Sequence, residues 1–187
     1  MTPLRGSYIA WGLWLVSWML AASWSARVAN RPMFGAQSLY HLITIVGVAL
    51  LFTDTGAPNT LHGAVGWALV AAVVAGFAFC WWARLHLGAL WSGTVTRKDD
   101  HRIVDTGPYG LVRHPIYTGL IWSAGAHAVL FNELRGYVGV VLIILGFYVK
   151  ARLEERFLRQ ELGPDAYDGY RARVPMLIPW KLAAARR

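Results

Sequence analysis

Five apolar segments, at residues 7–25, 38–53, 63–87, 115–131 and 136–162, restrict this chain to one kind of setting, a lipid bilayer. The third carries no charge before Arg84, and the fifth begins apolar and turns charged at Lys150. In lipid the backbone must satisfy its own hydrogen bonds, so segments near 20 residues long are read as helices. Composition agrees. Hydrophobic residues make up 56% and charged residues 15% of the 187, against about 45–50% and 25% in soluble domains. A water-soluble fold of this size has too little interior for that much apolar side chain. Ten tryptophans fit the same reading, because indole favours the membrane interface.

The spans have recognisable boundaries. Arg31-Pro32 precedes the second, Pro115 suits the first turn of the fourth, and Gly163-Pro164 stops the fifth. The first is too long and too aromatic for a signal peptide, and hardly any basic residue precedes it. The expectation is one membrane domain over residues 1–187, all-α, with about five transmembrane helices. The single cysteine, Cys80, lies in an apolar run and reads as a packing residue, so no disulfide forms within one chain.

Charge orients the spans. With five crossings, the N-terminal segment and the loops near residues 54 and 133 share one face. That face holds Arg5 and Arg135 against Asp54 and Glu133, leaving 16 of the 18 basic residues on the other. Lys and Arg collect in the cytoplasm, which places the N-terminus outside and the C-terminus inside. The net charge of +8 then reads as topology, with no nucleic-acid partner.

Most of the polar chemistry falls on that inner face. The connection between the third and fourth spans carries His101, Arg102, Asp105, Tyr109, Arg113 and His114, and is too long for a simple turn. On the fifth span only residues 136–149 are uncharged, 14 residues or roughly 21 Å. That is shorter than the ~30 Å hydrocarbon core, so Lys150 and Glu154 lie near the boundary and face protein or a wet cavity. Glu155 has Arg152 and Arg159 at helical spacing and reads as part of a solvated ion-pair face. Glu154 shares a face with Lys150 and reads as the site carboxylate.

The run from Gly107-Pro108-Tyr109-Gly110 through Arg113-His114-Pro115-Ile116-Tyr117-Thr118-Gly119 resembles the signature of the isoprenylcysteine carboxyl methyltransferase family and its phospholipid methyltransferase relatives. His101-Arg102-Ile103-Val104, the Glu154-Glu155 pair, and Gly163, Tyr167, Tyr170, Val174 and Pro175 continue the resemblance in order. It covers roughly residues 87–180 and leaves residues 1–60 as scaffold helices. The resemblance implies S-adenosylmethionine (SAM) as methyl donor, in a cytoplasmic site built by the loop and C-terminal segment, and a lipophilic acceptor arriving from the bilayer. By position it implies cofactor contacts from His101, Arg102, Ile103, Val104, Tyr109, His114, Pro115, Ile116, Tyr117 and Glu154. It implies a catalytic set of Arg113, His114 and Glu154, and a substrate-side role for Lys150, a lysine where the family often has arginine.

Residue chemistry is compatible with that set. Tyrosines supply aromatic surface for an adenine, a carboxylate suits an ammonium or hydroxyls, and Arg113 or His114 can meet a carboxylate. A carboxylate acceptor needs alignment and no strong base; an amine, thiol or phenol needs one, with His114 or Glu154 available. Plainer readings stand beside these. Pro115 can simply start a helix, and Arg113 can anchor at lipid headgroups. His41, His62 and His86 read as interfacial, Trp81-Trp82 and Trp91 as interface belts, and His127 as an interhelical hydrogen bond. His101, His114 and Glu154 are metal-type ligands, but none pairs with another at i,i+3 or i,i+4, so no metal is expected.

Two other function classes fit parts of the pattern. Membrane sterol reductases share a similar Arg-His-Pro-x-Tyr region and bind NADPH there. They follow it with an Arg-Asp-Glu pattern, where this chain has Leu153-Glu154-Glu155. A non-enzymatic membrane scaffold would not require His114 and Glu154.

Overall fold

The computed structural model describes residues 1–21, 34–53, 60–88 and 103–179. Among them the chain forms helices α1 (Pro3–Ala21), α2 (Phe34–Phe52), α3 (Gly63–Leu87), α4 (Pro108–Leu111), α5 (Pro115–Phe131), α6 (Leu134–Leu162) and α7 (Pro164–Arg173). The third and fourth sequence spans coincide with α3 and α5. The first two helices start earlier than the apolar pattern, α1 at Pro3, a residue suited to a first turn. At 29 residues, α6 is about 43 Å long, so its charged last turns extend past the ~30 Å that a bilayer core requires.

α3 packs along α5 and α2 along α6, with α1 laid on α3 and α5 joining α6. Both main crossings are built on glycine. A methyl group on Gly76 would come within 2.7 Å of the Gly119 carbonyl, and one on Gly47 within 2.7 Å of the Gly139 carbonyl. Small residues let helix backbones approach this closely, which matters in lipid, where burial alone does not drive helices together.

The outward faces are apolar. Leu13, Val16 and Leu20 of α1, Leu42 and Ile45 of α2, Val65 of α3 and Val141 of α6 are all exposed. A soluble monomer rarely leaves such a belt uncovered, and an apolar belt of this kind suits a lipid surround. Among the described residues, two helices, Gly63–Leu87 and Leu134–Glu161, are long and apolar enough to cross a membrane, and Ser38–Phe52 is a shorter apolar helix.

The tryptophans are placed differently from expectation. Trp11 and Trp14 pack against Phe77, and Trp18 against Trp81, forming an aromatic seam between α1 and α3. Trp81 donates its indole hydrogen to Ser17 at 3.2 Å. Of the predicted belt residues, only Trp82 is exposed, and Trp91 lies outside the described residues. His127 does join helices, through a 2.8 Å hydrogen bond with Ser7. At the opposite end of the bundle, Arg84 of α3 donates to the Ala21 carbonyl of α1 at 2.6 Å. That end gathers the last turns of α1, α3 and α6 with the first turns of α2 and α5.

Candidate active site

The site is built where the α3–α5 connection returns to the bundle. Gly107 turns the chain with φ +55°, and a side chain there would press on the His86 ring. Pro108 then starts the single turn of α4, and Val112 leaves it extended. This delivers Arg113 and His114 to the head of α5 with their backbone hydrogens pointing away from the helix. The chain after α7 accepts them. Arg113 N–H donates to the Pro175 carbonyl at 2.8 Å and His114 N–H to the Met176 carbonyl at 3.1 Å. The Thr118 hydroxyl adds a bond to the Leu177 carbonyl at 2.8 Å. α7 is held by a buried cluster of Tyr167, Tyr170 and Val174 against Ile103 and Leu158. The Tyr170 hydroxyl donates to the Tyr109 carbonyl at 2.8 Å. Burial raises the pKa of the Tyr109, Tyr167 and Tyr170 phenols, so they stay neutral donors.

Glu155 corrects the sequence reading. It is buried, not part of a solvated face. Its Oε1 accepts from Arg113 Nε and Nη2, each at 2.8 Å, and lies 3.2 Å from His114 Nε2. Arg159, the expected partner, pairs with Asp168 of α7 instead, at 2.8 Å. The physical reason is competition. A guanidinium in a dry setting holds a carboxylate more tightly than a solvated neighbour on the same helix can. Arg113 also donates to the carbonyls of Arg171 and Val174, so its side chain ties α6 and the tail together.

Glu154 faces the other way. Its Oε1 accepts from the Tyr117 hydroxyl at 2.6 Å, and Oε2 lies 3.5 Å from His114 Nδ1. At 17% side-chain exposure, against 6% for Glu155, it is the more accessible carboxylate of the pair. The imidazole of His114 therefore has a carboxylate at each nitrogen, a setting that suits two N–H donors. Burial opposes its charge, but the hydrogen bonds and negative charges of Glu154 and Glu155 outweigh this and raise its pKa. Its ring stacks on Tyr117, which stacks in turn on Phe147. The Lys150 ammonium sits 5.1 Å from the Tyr117 ring and 5.8 Å from the Tyr40 ring.

The structure thus brings together Arg113, His114, Tyr117, Lys150 and Glu154 of the predicted set, with Pro115 at the first position of α5. Tyr109 is buried beneath them, Ile103 joins the tyrosine cluster, and Val104 is half-buried in the loop. Ile116 contributes its carbonyl, which accepts from the Cys80 thiol at 3.3 Å. His101 and Arg102 lie outside the described residues. Among the described residues no group of three His, Cys, Asp or Glu is arranged to hold a metal ion. Sequence reasoning missed the anchoring role of Glu155 and the presence of Tyr40. It also carried none of Tyr167, Tyr170 and residues 174–177 into the site. Gly163-Pro164 held a usable signal for α7, since a proline that ends one helix suits the first turn of the next.

The helical bundle thus holds, at one end, a histidine between two carboxylates. Residues 68–160, 93 of the 187, match the isoprenylcysteine carboxyl methyltransferase (ICMT) family. Protein-S-isoprenylcysteine O-methyltransferase B of Arabidopsis thaliana is 34% identical over 87 residues, 46% of this chain and 44% of that protein. The Schizosaccharomyces pombe protein-S-isoprenylcysteine O-methyltransferase is 36% identical over 84 residues, 44% of this chain and 35% of that protein. The Mus musculus enzyme of the same name is 33% identical over 85 residues, 45% of this chain and 30% of its own length. The aligned region thus spans less than half the length of each of these three relatives.

Proposed function

We propose that this protein is an integral membrane methyltransferase that uses SAM to esterify the carboxylate of a lipophilic, prenylcysteine-like acceptor. The observation that carries this reading is the placement of His114 between Glu154 and Glu155 within the segment that matches the family. The donor set fits SAM. Both Glu154 oxygens keep lone pairs after serving Tyr117 and His114, and so can accept from an ammonium or from ribose hydroxyls. Tyr117 offers aromatic surface beside them, and His101, Arg102, Ile103, Val104, Tyr109, Pro115 and Ile116 complete the proposed cofactor wall. When bound, SAM supplies an electrophilic methyl group. Arg113 fixes the backbone that carries His114, His114 fixes Glu154, and Lys150 draws an anionic acceptor to the bilayer side. Residues 87–180 form the catalytic region and residues 1–60 chiefly support it.

With a carboxylate oxygen at each ring nitrogen, His114 has no nitrogen free to take a proton from an acceptor and is poorly placed as a general base. This favours an acceptor that is already ionised, with rate gained from alignment and water exclusion. An amine, thiol or phenol acceptor lacks that advantage. The test is transfer of a labelled methyl group from SAM to an N-acylated S-prenylcysteine by the purified protein. The label should be recovered as a base-labile ester. The rate should stay nearly flat from about pH 6.5 to 8.5, because a carboxyl group with pKa near 4 is ionised throughout. A steep rise through neutral pH would rule out the carboxylate acceptor.

The reading includes five crossings, by α1, α2, α3, α5 and α6, with the N-terminus outside; the charge split supports the orientation, and the gathering of alternate helix ends at the site supports the up-and-down order. Cysteine-accessibility labelling checks this, since the native Cys80 is buried. Cysteines near Asn59 and Asn132 should label from outside, and those near Lys98 and Lys181 from the cytoplasm. Labelling of Asn59 and Lys98 positions from the same side would contradict the topology.

A further inference from the structure

Tyr40 lies in α2, a helix with no sequence motif, yet its ring is part of the site. The residue is 2% exposed, and its hydroxyl is buried with no hydrogen-bond partner among the described residues. Buried hydroxyls are nearly always partnered, so one left open at a site wall marks a place for a ligand atom. Thr44, one turn along, turns its hydroxyl onto the Tyr40 carbonyl at 2.7 Å and makes no bond to the Tyr40 hydroxyl. The Lys150 ammonium lies 5.8 Å from the Tyr40 ring and is flanked on its other side by Tyr117. Glu154 is within electrostatic reach but is already engaged by Tyr117 and His114.

We infer that the Tyr40 hydroxyl and the Lys150 ammonium together grip the acceptor's carboxylate, making Tyr40 a specificity-determining residue of the acceptor site. A phenol whose ring lies 5.8 Å from an ammonium adds a second donor to it, which suits an anion and disfavours the cationic groups of SAM. Lysine alone is a point charge and cannot present the two-pronged fork of a guanidinium. A second donor on a different helix supplies the missing prong, one to each carboxylate oxygen. The two residues also hold their geometry without substrate, because cation–π attraction keeps the ammonium against the Tyr40 and Tyr117 rings. This inference rests on the carboxylate methyltransferase reading and adds to it the identity of the second donor.

The test compares binding of an N-acylated S-prenylcysteine with that of its methyl ester, using detergent-purified protein saturated with S-adenosylhomocysteine to prevent turnover. Wild type should prefer the free carboxylate by roughly tenfold or more, the range expected for hydrogen bonds to a charged group. Tyr40→Phe keeps the ring and its contact with Lys150, removes only the open hydroxyl, and should melt like wild type. It should lose most of the preference while SAM affinity stays unchanged. Lys150→Met should lose the preference as well. Full preference retained in Tyr40→Phe, or an equal loss of SAM affinity, would overturn the assignment. A wild type that binds SAM without preferring the carboxylate would also overturn it and leave methyl transfer to another acceptor standing. Failure of wild type to bind SAM at all would remove the functional reading and this inference with it.

Discussion

Glu155→Ala is expected to lower the stability of the protein by about 3–5 kcal/mol, the usual cost of removing one partner from a buried ion pair. Against a total near 5–15 kcal/mol, that is a large fraction. The change strips the carboxylate from Arg113 and from one face of His114, leaving a buried guanidinium without its anchor and a buried imidazole without one of its two partners. Those two residues also carry the backbone bonds to Pro175 and Met176, so the tail should loosen along with the head of α5. Arg159→Ala is the informative control. Its partner on the helical pattern is Glu155, but its partner in the structure is Asp168, in an exposed pair. Exposed pairs of this kind contribute little. Thermal unfolding in detergent should therefore show a large shift for Glu155→Ala and almost none for Arg159→Ala. Equal shifts would return Glu155 to the solvated face that the local spacing implies.

That contrast shows what a sequence reveals and what it hides. α3 and α5 are legible to the residue, because long apolar runs bounded by glycine, proline and charge admit few alternatives in lipid. The juxtaposition of His114 with Glu154 is legible through the family resemblance, which orders residues that lie forty positions apart. The role of Glu155 is not. Spacing along one helix offers Arg152 and Arg159 as partners, and only the tertiary approach of Arg113 overrides them. The seam tryptophans Trp11 and Trp14 are hidden for a similar reason. Indole suits both an interface and a tight helix seam, and only packing against Phe77 separates the two. Tyr40 carries no local signal, since its importance comes from where α2 crosses α6. The tail is partly legible in Tyr167, Tyr170 and Val174, but its backbone pairing with residues 113 and 114 is a three-dimensional fact.

Glu154→Gln is expected to weaken SAM binding by at least about tenfold, or 1.4 kcal/mol, while the fold stays intact. The amide keeps the size of the carboxylate and can still accept from Tyr117, so packing near α5 is preserved. It loses the charge that favours an ammonium and that helps raise the His114 pKa. Glu155→Ala acts on the scaffold of the site and should show its effect in the melt; Glu154→Gln acts on the ligand and should show it in the titration. The most direct measurement is calorimetric titration of the detergent-purified wild-type protein with SAM, with S-adenosylhomocysteine and with NADPH. Saturable one-to-one binding of the first two, weakened in Glu154→Gln, with no heat from NADPH, is the predicted result. Saturable binding of NADPH and none of SAM would contradict the methyltransferase account and point to a reductase.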